Sequence, residues 1–146
     1  LGSPRAEAVL RRAFDSGDAE IRGAIRREAP HLLSEAERVA SLVAALKHAE
    51  LLGGLGAALD ELPGFHPPEA IRALLDGCLR REGTIAVNFA AILLFLHGGA
   101  AEPFDWAHRP FFLRFNTTDR KERRAAFREL CARCGIDAAP HLRRWR

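Results

Sequence analysis

The sequence lacks the features that mark several large classes of protein. It has three cysteines, too few and odd in number for a disulfide scaffold, so a reducing, cytoplasmic setting is predicted. No apolar run reaches the roughly 18 residues of a membrane span. The longest, Ile85 to Leu96, is interrupted by Asn88. The first residues show no signal-peptide pattern. We therefore expect a cytoplasmic protein that has no membrane partner.

Signatures of common enzymes are missing as well. The sequence contains no P-loop, no G-x-G-x-x-G and no G-x-S-x-G, and none of its six histidines lies in a metal-ligand spacing. Cys131 and Cys134 are spaced as C-x-x-C, but they fall at the end of a predicted helix, where the helix dipole opposes a thiolate. A structural zinc site would need further ligands from distant residues. We predict no catalytic residue, no cofactor and no metal.

Lysine is scarce, and the basic charge is unevenly placed. Of the 22 basic residues, 20 are arginine, the better side chain for forked contacts to carboxylate or phosphate. Residues 1–108 carry 11 basic and 15 acidic side chains, whereas residues 109–146 carry 11 basic and 4 acidic ones, a net charge of +7. The basic C-terminal part predicts an acidic protein partner or a nucleic acid.

Apolar residues recur at helical spacing throughout, and no alternating strand pattern is present. A chain of 146 residues with 48% hydrophobic residues predicts one all-α domain over residues 1–146. Asp18, Ser34 (with Glu37 in a capping box) and Pro67-Pro68 are predicted helix starts. Six helices are predicted in the first part of the chain: about residues 5–14, 19–29, 35–46, 50–62, 68–79 and 85–97. The last of these is apolar nearly all round and is expected at the centre of the protein. Asn88 is the one polar residue expected to be buried in it.

The helices form three pairs that repeat at about 33 residues. Phe14, Leu46 and Leu79 each end the first helix of a pair. The second helices are in step at Ala24-Ile25, Ala57-Ala58 and Ala90-Ala91, and the small residue at the repeated alanine position would allow close helix packing. Each pair leaves one face for its neighbour to cover, which is typical of an α-solenoid.

The stretch Asp18 to Arg22, followed by Ala24, resembles the D-x-x-V-R-x-x-A motif of HEAT repeats. The third pair has Val87-Asn88 at the matching position, and the middle pair, with Gly54-Leu55, is degenerate. The resemblance implies about three HEAT-like pairs over residues 4–98, in which the aspartate caps the second helix and the arginine ties adjacent repeats together. It implies an architecture and not an activity.

Residues 99–116 form a long connection in which Pro103 and Pro110 exclude a continuous helix. The aromatic residues here are expected to cap the end of the repeats: Phe104, Trp106, Phe111, Phe112 and Phe115. The alternative is a surface recognition patch in which Trp and Arg serve as binding hot spots. Both hold if the phenylalanines face inward and the polar residues outward. The stretch is also similar to small bacterial HEAT-like proteins, some of which are immunity factors for secreted toxins.

A basic helix and tail are predicted over residues 117–146. Asp119 and Glu122 indicate an acidic capping box, and Gly135, followed by Ile136, a left-handed end. Arg120, Arg124 and Arg128 share one side of the helix, as either a solvated face or an anion-binding surface. The tail adds further arginines and Trp145, which either docks on the domain or lies in a loose end.

We therefore expect a non-enzymatic protein-binding module, most specifically an immunity protein that covers its cognate toxin. The alternative is a HEAT-like protein that binds nucleic acid, for DNA repair as one example. The partner-binding residues are predicted to be Asp105, Trp106, Arg109, Arg114, Arg120, Arg124 and Arg128.

Overall fold

The computed structural model describes residues 3–145, and within this range it is helical throughout, with no strand. The prediction of an all-α fold is confirmed. Short 3-10 turns at Pro30–Leu32, Trp106–His108 and Leu113–Phe115 join or extend the helices. The helices are α1 (Pro4–Ser16), α2 (Ala19–Glu28), α3 (Glu35–His48), α4 (Gly56–Glu61), α5 (Pro68–Arg80), α6 (Gly83–Leu96), α7 (Arg109–Phe112), α8 (Arg120–Cys134) and α9 (Ala139–Arg144).

The structure divides between Ala70 and Ile71 into two compact units. The first unit holds α1 to α4, and the second holds most of α5 together with α6 to α9. Each unit has its own buried residues.

The helix starts of the first unit follow the sequence signals. The Asp18 carboxylate accepts from the backbone N–H of Ile21 at 3.0 Å and begins α2. Ser34 and Glu37 form both bonds of the predicted capping box, at 3.1 and 3.0 Å, and begin α3. Both predictions are confirmed because each depends only on residues three positions apart.

Two arginines on α2 hold the first unit together. The resemblance implied that Arg22 would join neighbouring pairs, but its Nε donates to the Phe14 carbonyl at 3.2 Å, within its own pair. One turn later, Arg26 makes the longer connection. Its Nη1 donates to Ser41 Oγ in α3 at 2.8 Å, and its Nε donates to Glu61 Oε1 at the end of α4, also at 2.8 Å.

The close approach of α2 and α4 uses a different small residue from the one predicted. Ala24 is exposed, whereas Gly23 is buried. A Cβ added to Gly23 would lie 3.3 Å from the Ala57 Cβ, so α2 and α4 are in close contact at this glycine. The predicted small positions Ala58, Ala90 and Ala91 are fully buried.

The start of the fourth predicted helix is not α-helical. Residues 51–55 make a wide turn in which the Leu55 N–H donates to the Glu50 carbonyl at 3.2 Å, and α4 begins only at Gly56. Gly54 has a φ of +101°, which side chains with a Cβ rarely adopt, and an added Cβ would lie 3.0 Å from the backbone of Ala19. The wide turn, which contains the two consecutive glycines, therefore takes the place of the first turns of the predicted helix.

We expect Gly54→Ala to lower the free energy of unfolding by about 1–3 kcal/mol, because alanine would add both backbone strain and a clash. Gly53→Ala is the matched control. At Gly53 the φ is −117° and the nearest atom to an added Cβ is 3.9 Å away, so this change should be close to neutral. Urea unfolding followed by circular dichroism measures both. Equal losses would show that the φ of Gly54 does not shape the turn.

The core of the second unit is built on α6. Its residues from Ile85 to Leu94 are buried with the exception of Asn88, which is half-buried and donates to the Thr84 carbonyl at 2.8 Å. The expectation that this helix would be central is confirmed within its unit. Both α8 and the turn Leu113–Phe115 contact α6. Helix α6 therefore positions the basic helix α8 and the end of residues 99–116, which we call the aromatic segment.

Candidate functional site: an aromatic segment and an arginine groove

In the aromatic segment, Phe111, Phe112 and Phe115 face inward, Phe104 is half-buried, and Trp106 faces outward. Phe111, Phe112 and Phe115 are 7%, 0% and 0% exposed, so the expectation that they belong to the core is confirmed. Trp106 is 53% exposed and rests edge-on against Phe112, with the ring centroids 6.4 Å apart. Arg109 is exposed as well. Trp106 and Arg109 are therefore accessible from solvent.

Asp105 has a local role. One carboxylate oxygen accepts from the Ala107 N–H at 3.1 Å, and the other accepts from the Ala101 N–H at 3.2 Å. The first of these bonds caps the turn Trp106–His108. Asp105 thus fixes the shape of the loop that presents Trp106.

Arg114 belongs to a small charged cluster around Phe111. Its guanidinium pairs with Glu129 Oε1 at 3.0 Å, and Arg133 pairs with the other oxygen of the same carboxylate at 2.8 Å. The two guanidinium carbons lie 5.8 and 4.0 Å from the centroid of the Phe111 ring. One glutamate is shared by two arginines, so the cluster keeps one surplus positive charge.

The start of α8 differs in detail from the predicted capping box. Asp119 accepts from the N–H groups of Lys121 and Glu122 at 2.8 and 3.2 Å, as predicted. The Glu122 side chain does not return to the backbone of Asp119. It accepts from the hydroxyl of Thr117, and the Asp119 N–H donates to that same hydroxyl oxygen, both at 3.1 Å. At the other end of α8, the left-handed Gly135 is confirmed, with a φ of +72°.

Arg123 anchors α8 to the end of α5. It is 6% exposed, and its Nη1 donates to the carbonyls of Cys78 and Arg81 at 3.0 and 2.9 Å, while its Nη2 donates to the Thr117 carbonyl at 2.7 Å. The last carbonyls of a helix lack helical partners and lie at the negative end of its dipole, so a guanidinium is well placed there. Burial lowers the pKa of Arg123.

The remaining arginines of α8 face a groove beside α9, which we call the arginine groove. Its volume is about 710 Å³. Arg120, Arg124 and Arg128 line it from α8, as predicted for one helix face, and Arg143 lines it from α9. The other lining residues are Asp137, Ala138, Ala139 and Leu142. Four guanidinium groups thus share the groove with one carboxylate and several apolar side chains.

Trp145 lies buried beneath two of these arginines. It is 5% exposed, and the guanidinium carbons of Arg120 and Arg124 lie 4.1 and 5.6 Å from the ring centroid. Stacking on the ring holds a guanidinium by its flat face and leaves its N–H edges available to an anion. The tail is also fixed by Arg144, whose Nη2 lies 3.3 Å from Asp76 Oδ1. The sequence left open whether Trp145 would dock, and it does.

The seven predicted binding residues do not form one surface. Arg120, Arg124 and Arg128 meet at the arginine groove. Arg114 pairs with Glu129, which follows Arg120 by nine residues and therefore lies about 180° round the helix. Neither Arg109 nor Arg128 forms an ion pair with any residue between 3 and 145, so both positive charges are unpaired within the described residues.

The cysteines of the second unit are not set up for thiolate chemistry. Burial raises the pKa of Cys131 to about 12 and that of Cys134 to about 11. The Cys134 thiol points to the Leu93 carbonyl, 3.8 Å away. Within residues 3–145, no group of three histidine, cysteine, aspartate or glutamate side chains is placed to hold a metal ion. The charged groups that line the arginine groove are four arginines and one aspartate, and guanidinium groups are suited to binding anions.

No family model, curated protein or solved structure matches the chain. Each helix between residues 3 and 145 is too short or too polar to bridge the hydrocarbon core of a bilayer.

Proposed function

We propose that this protein is a non-enzymatic binding module that holds an acidic segment of another protein in the arginine groove. The observation that supports this is the composition of the groove, in which four arginines and one aspartate are interleaved with alanine and leucine side chains. Arginine pairs with aspartate and glutamate through parallel N–H···O bonds. The apolar residues suit a segment that carries hydrophobic side chains beside its acidic ones.

The same composition favours a protein over a nucleic acid. Proteins that grip single strands stack the bases on accessible aromatic rings. Here the Trp145 ring is buried under Arg120 and Arg124. Leu142 and Ala139 would meet phosphates without benefit, whereas they suit the side chains of an amphipathic peptide.

Within this class, our most specific proposal is an immunity protein that blocks a cognate toxin by covering an acidic part of its surface. It is supported by the resemblance of the segment 103–116 to small bacterial HEAT-like proteins, some of which are immunity factors. A HEAT-like stacking of the helical pairs and a cytoplasmic location belong to the same proposal.

We expect Arg128→Glu combined with Arg143→Glu to weaken binding of an acidic amphipathic peptide by about tenfold or more, because two attractive charges become repulsive. Both residues are exposed, so the helical circular dichroism should not change. The probe is a labelled helical peptide with glutamates on one face and leucines on the other, and its binding is measured by fluorescence anisotropy. Arg5→Glu with Arg12→Glu, two exposed changes on α1, is the matched control and should bind as the unchanged protein does. Unaltered binding by the first variant would remove the arginine groove from the proposal.

Nucleic-acid binding is the second candidate, because residues 109–146 carry a net charge of +7. A labelled DNA duplex at low salt tests it. Binding to phosphates weakens linearly on a plot of the logarithm of the affinity against the logarithm of the salt concentration, with a slope set by the number of contacts. Strong duplex binding with such a slope, together with no binding of the acidic peptide, would favour this candidate over the first.

A further inference from the structure

The first unit contains a second candidate site, in a cavity of about 750 Å³. The cavity is lined by α2, by α3 and by the wide turn before α4, and none of its residues belongs to the arginine groove. Arg22 and Arg26 contribute to it from α2, and Ser41 and Ala44 from α3.

The cavity exists because the middle of α3 carries only small side chains toward it, between Glu37 and His48, which also line the cavity. Ala40, Ser41, Ala44 and Ala45 all line the cavity and follow the three- and four-residue spacing of a helix face. The alanines provide an apolar wall. Leu52, between the lining residues Glu50 and Gly53, is 96% exposed, so a large apolar side chain stands unpacked on the adjoining turn.

Unused hydrogen-bond donors border this apolar wall. Arg26 is 1% exposed, and its Nη2 is buried without a hydrogen-bond partner among residues 3–145, although its Nε and Nη1 are both bonded. Ser41 accepts from Arg26, which leaves its own hydroxyl hydrogen free to donate. Arg22 donates through Nε to the Phe14 carbonyl, which leaves its two terminal nitrogens able to donate to a ligand. A buried donor without a partner is costly, and a ligand that brings an acceptor removes that cost.

The side of the cavity formed by α2 carries positive charge. Glu61 is shared by Arg26 at 2.8 Å and Arg38 at 3.2 Å, so this buried network has one surplus positive charge. Arg22 adds another. Glu37 also lines the cavity, and its carboxylate is bound by Arg11, which lowers the pKa of that carboxyl to about 2. Arg11 pairs with Asp15 as well, so this second cluster keeps one negative charge. Glu50, the other acidic lining residue, is exposed on the wide turn.

We propose that this cavity binds a small organic monocarboxylate that has an apolar body. Its carboxylate accepts from the terminal nitrogens of Arg22 and Arg26 and from the Ser41 hydroxyl. Its apolar body lies against the alanines of α3. This site is independent of the arginine groove, and its failure would leave the proposed function of the second unit unchanged.

Three probes separate the two halves of the ligand. Octanoate has both the head and the body, octanamide keeps the body without the charge, and acetate keeps the charge without the body. We expect octanoate to raise the melting temperature of the full chain and to bind at or below about 1 mM by calorimetry. Octanamide should bind about tenfold more weakly, and acetate more weakly still. Failure of octanoate to bind, or equal binding of octanoate and octanamide, would overturn the proposal.

Two variants place the ligand in the cavity. Ala44 is exposed and lines the cavity, so Ala44→Phe fills the space without entering the core and should abolish octanoate binding. Arg22→Gln removes one positive charge and should weaken binding by about tenfold. Arg27→Gln, an exposed change on the same helix outside the cavity, is the control and should bind normally. Octanoate binding that persists in Ala44→Phe would show that the probe binds elsewhere.

Discussion

Arg26→Ala is expected to lower the free energy of unfolding by about 3 kcal/mol or more, since removal of one partner leaves a buried charge without compensation. The Glu61 side chain is 3% exposed and would retain only Arg38, which is partly open to solvent. The hydrogen bond from Arg26 to Ser41, which joins α2 to α3, would be lost as well.

Arg27→Ala is the matched control for this change. Arg27 is the next residue on α2, is exposed, and should alter the free energy of unfolding by no more than about 0.5 kcal/mol. Urea unfolding followed by circular dichroism compares the two. A double change, Arg26→Met with Glu61→Leu, should recover much of the loss, because an apolar pair of similar volume carries no desolvation penalty. If Arg26→Ala were as mild as Arg27→Ala, the network would not hold the first unit together.

Phe112→Ala is the second change of large expected effect, with a loss of about 3–5 kcal/mol. Phe112 is 0% exposed, and its ring centroid lies 6.0 Å from that of Phe111, 6.1 Å from that of His108 and 6.4 Å from that of Trp106. Truncation would leave a cavity at the centre of the aromatic segment and would also remove the ring that supports the exposed Trp106.

Leu113→Ala provides the comparison for Phe112→Ala at the neighbouring position. Leu113 is 44% exposed, and its truncation should cost less than about 1 kcal/mol. Thermal unfolding followed by circular dichroism should show a clearly lower melting temperature for Phe112→Ala than for Leu113→Ala. Similar melting temperatures would mean that the aromatic segment adds little to the stability of the second unit.

The features that could be predicted from the sequence are the local ones. The caps at Asp18 and Ser34 and the left-handed Gly135 each depend on residues within one helical turn. The common face of Arg120, Arg124 and Arg128 follows from the helical period alone. The wide turn was missed although its signal, two consecutive glycines, is present in the sequence, because its surroundings are apolar at helical spacing.

The features that could not be predicted depend on contacts between distant residues. Arg26 and Glu61 are 35 positions apart, and Arg123 and Cys78 are 45 apart, so no local pattern indicates their pairing. Asn88 was expected to be the buried polar residue, yet it is half-buried, and Arg26, Glu61 and Arg123 are the buried charged residues of the described chain. The arginine groove likewise needs α9, whose position against α8 no pattern in the sequence fixes.

The arginines of α8 differ in what they contact, and this difference has a consequence for how the sequence of the helix can evolve. Arg123, turned inward, fixes the helix through three backbone carbonyls, and backbone carbonyls are present whatever the side chains are. Arg128, on the exposed side, fixes nothing within the described chain. Arg128 can therefore mutate without displacing the helix. Under the proposed function, a change at Arg128 alters the binding surface while the scaffold beneath it stays constant.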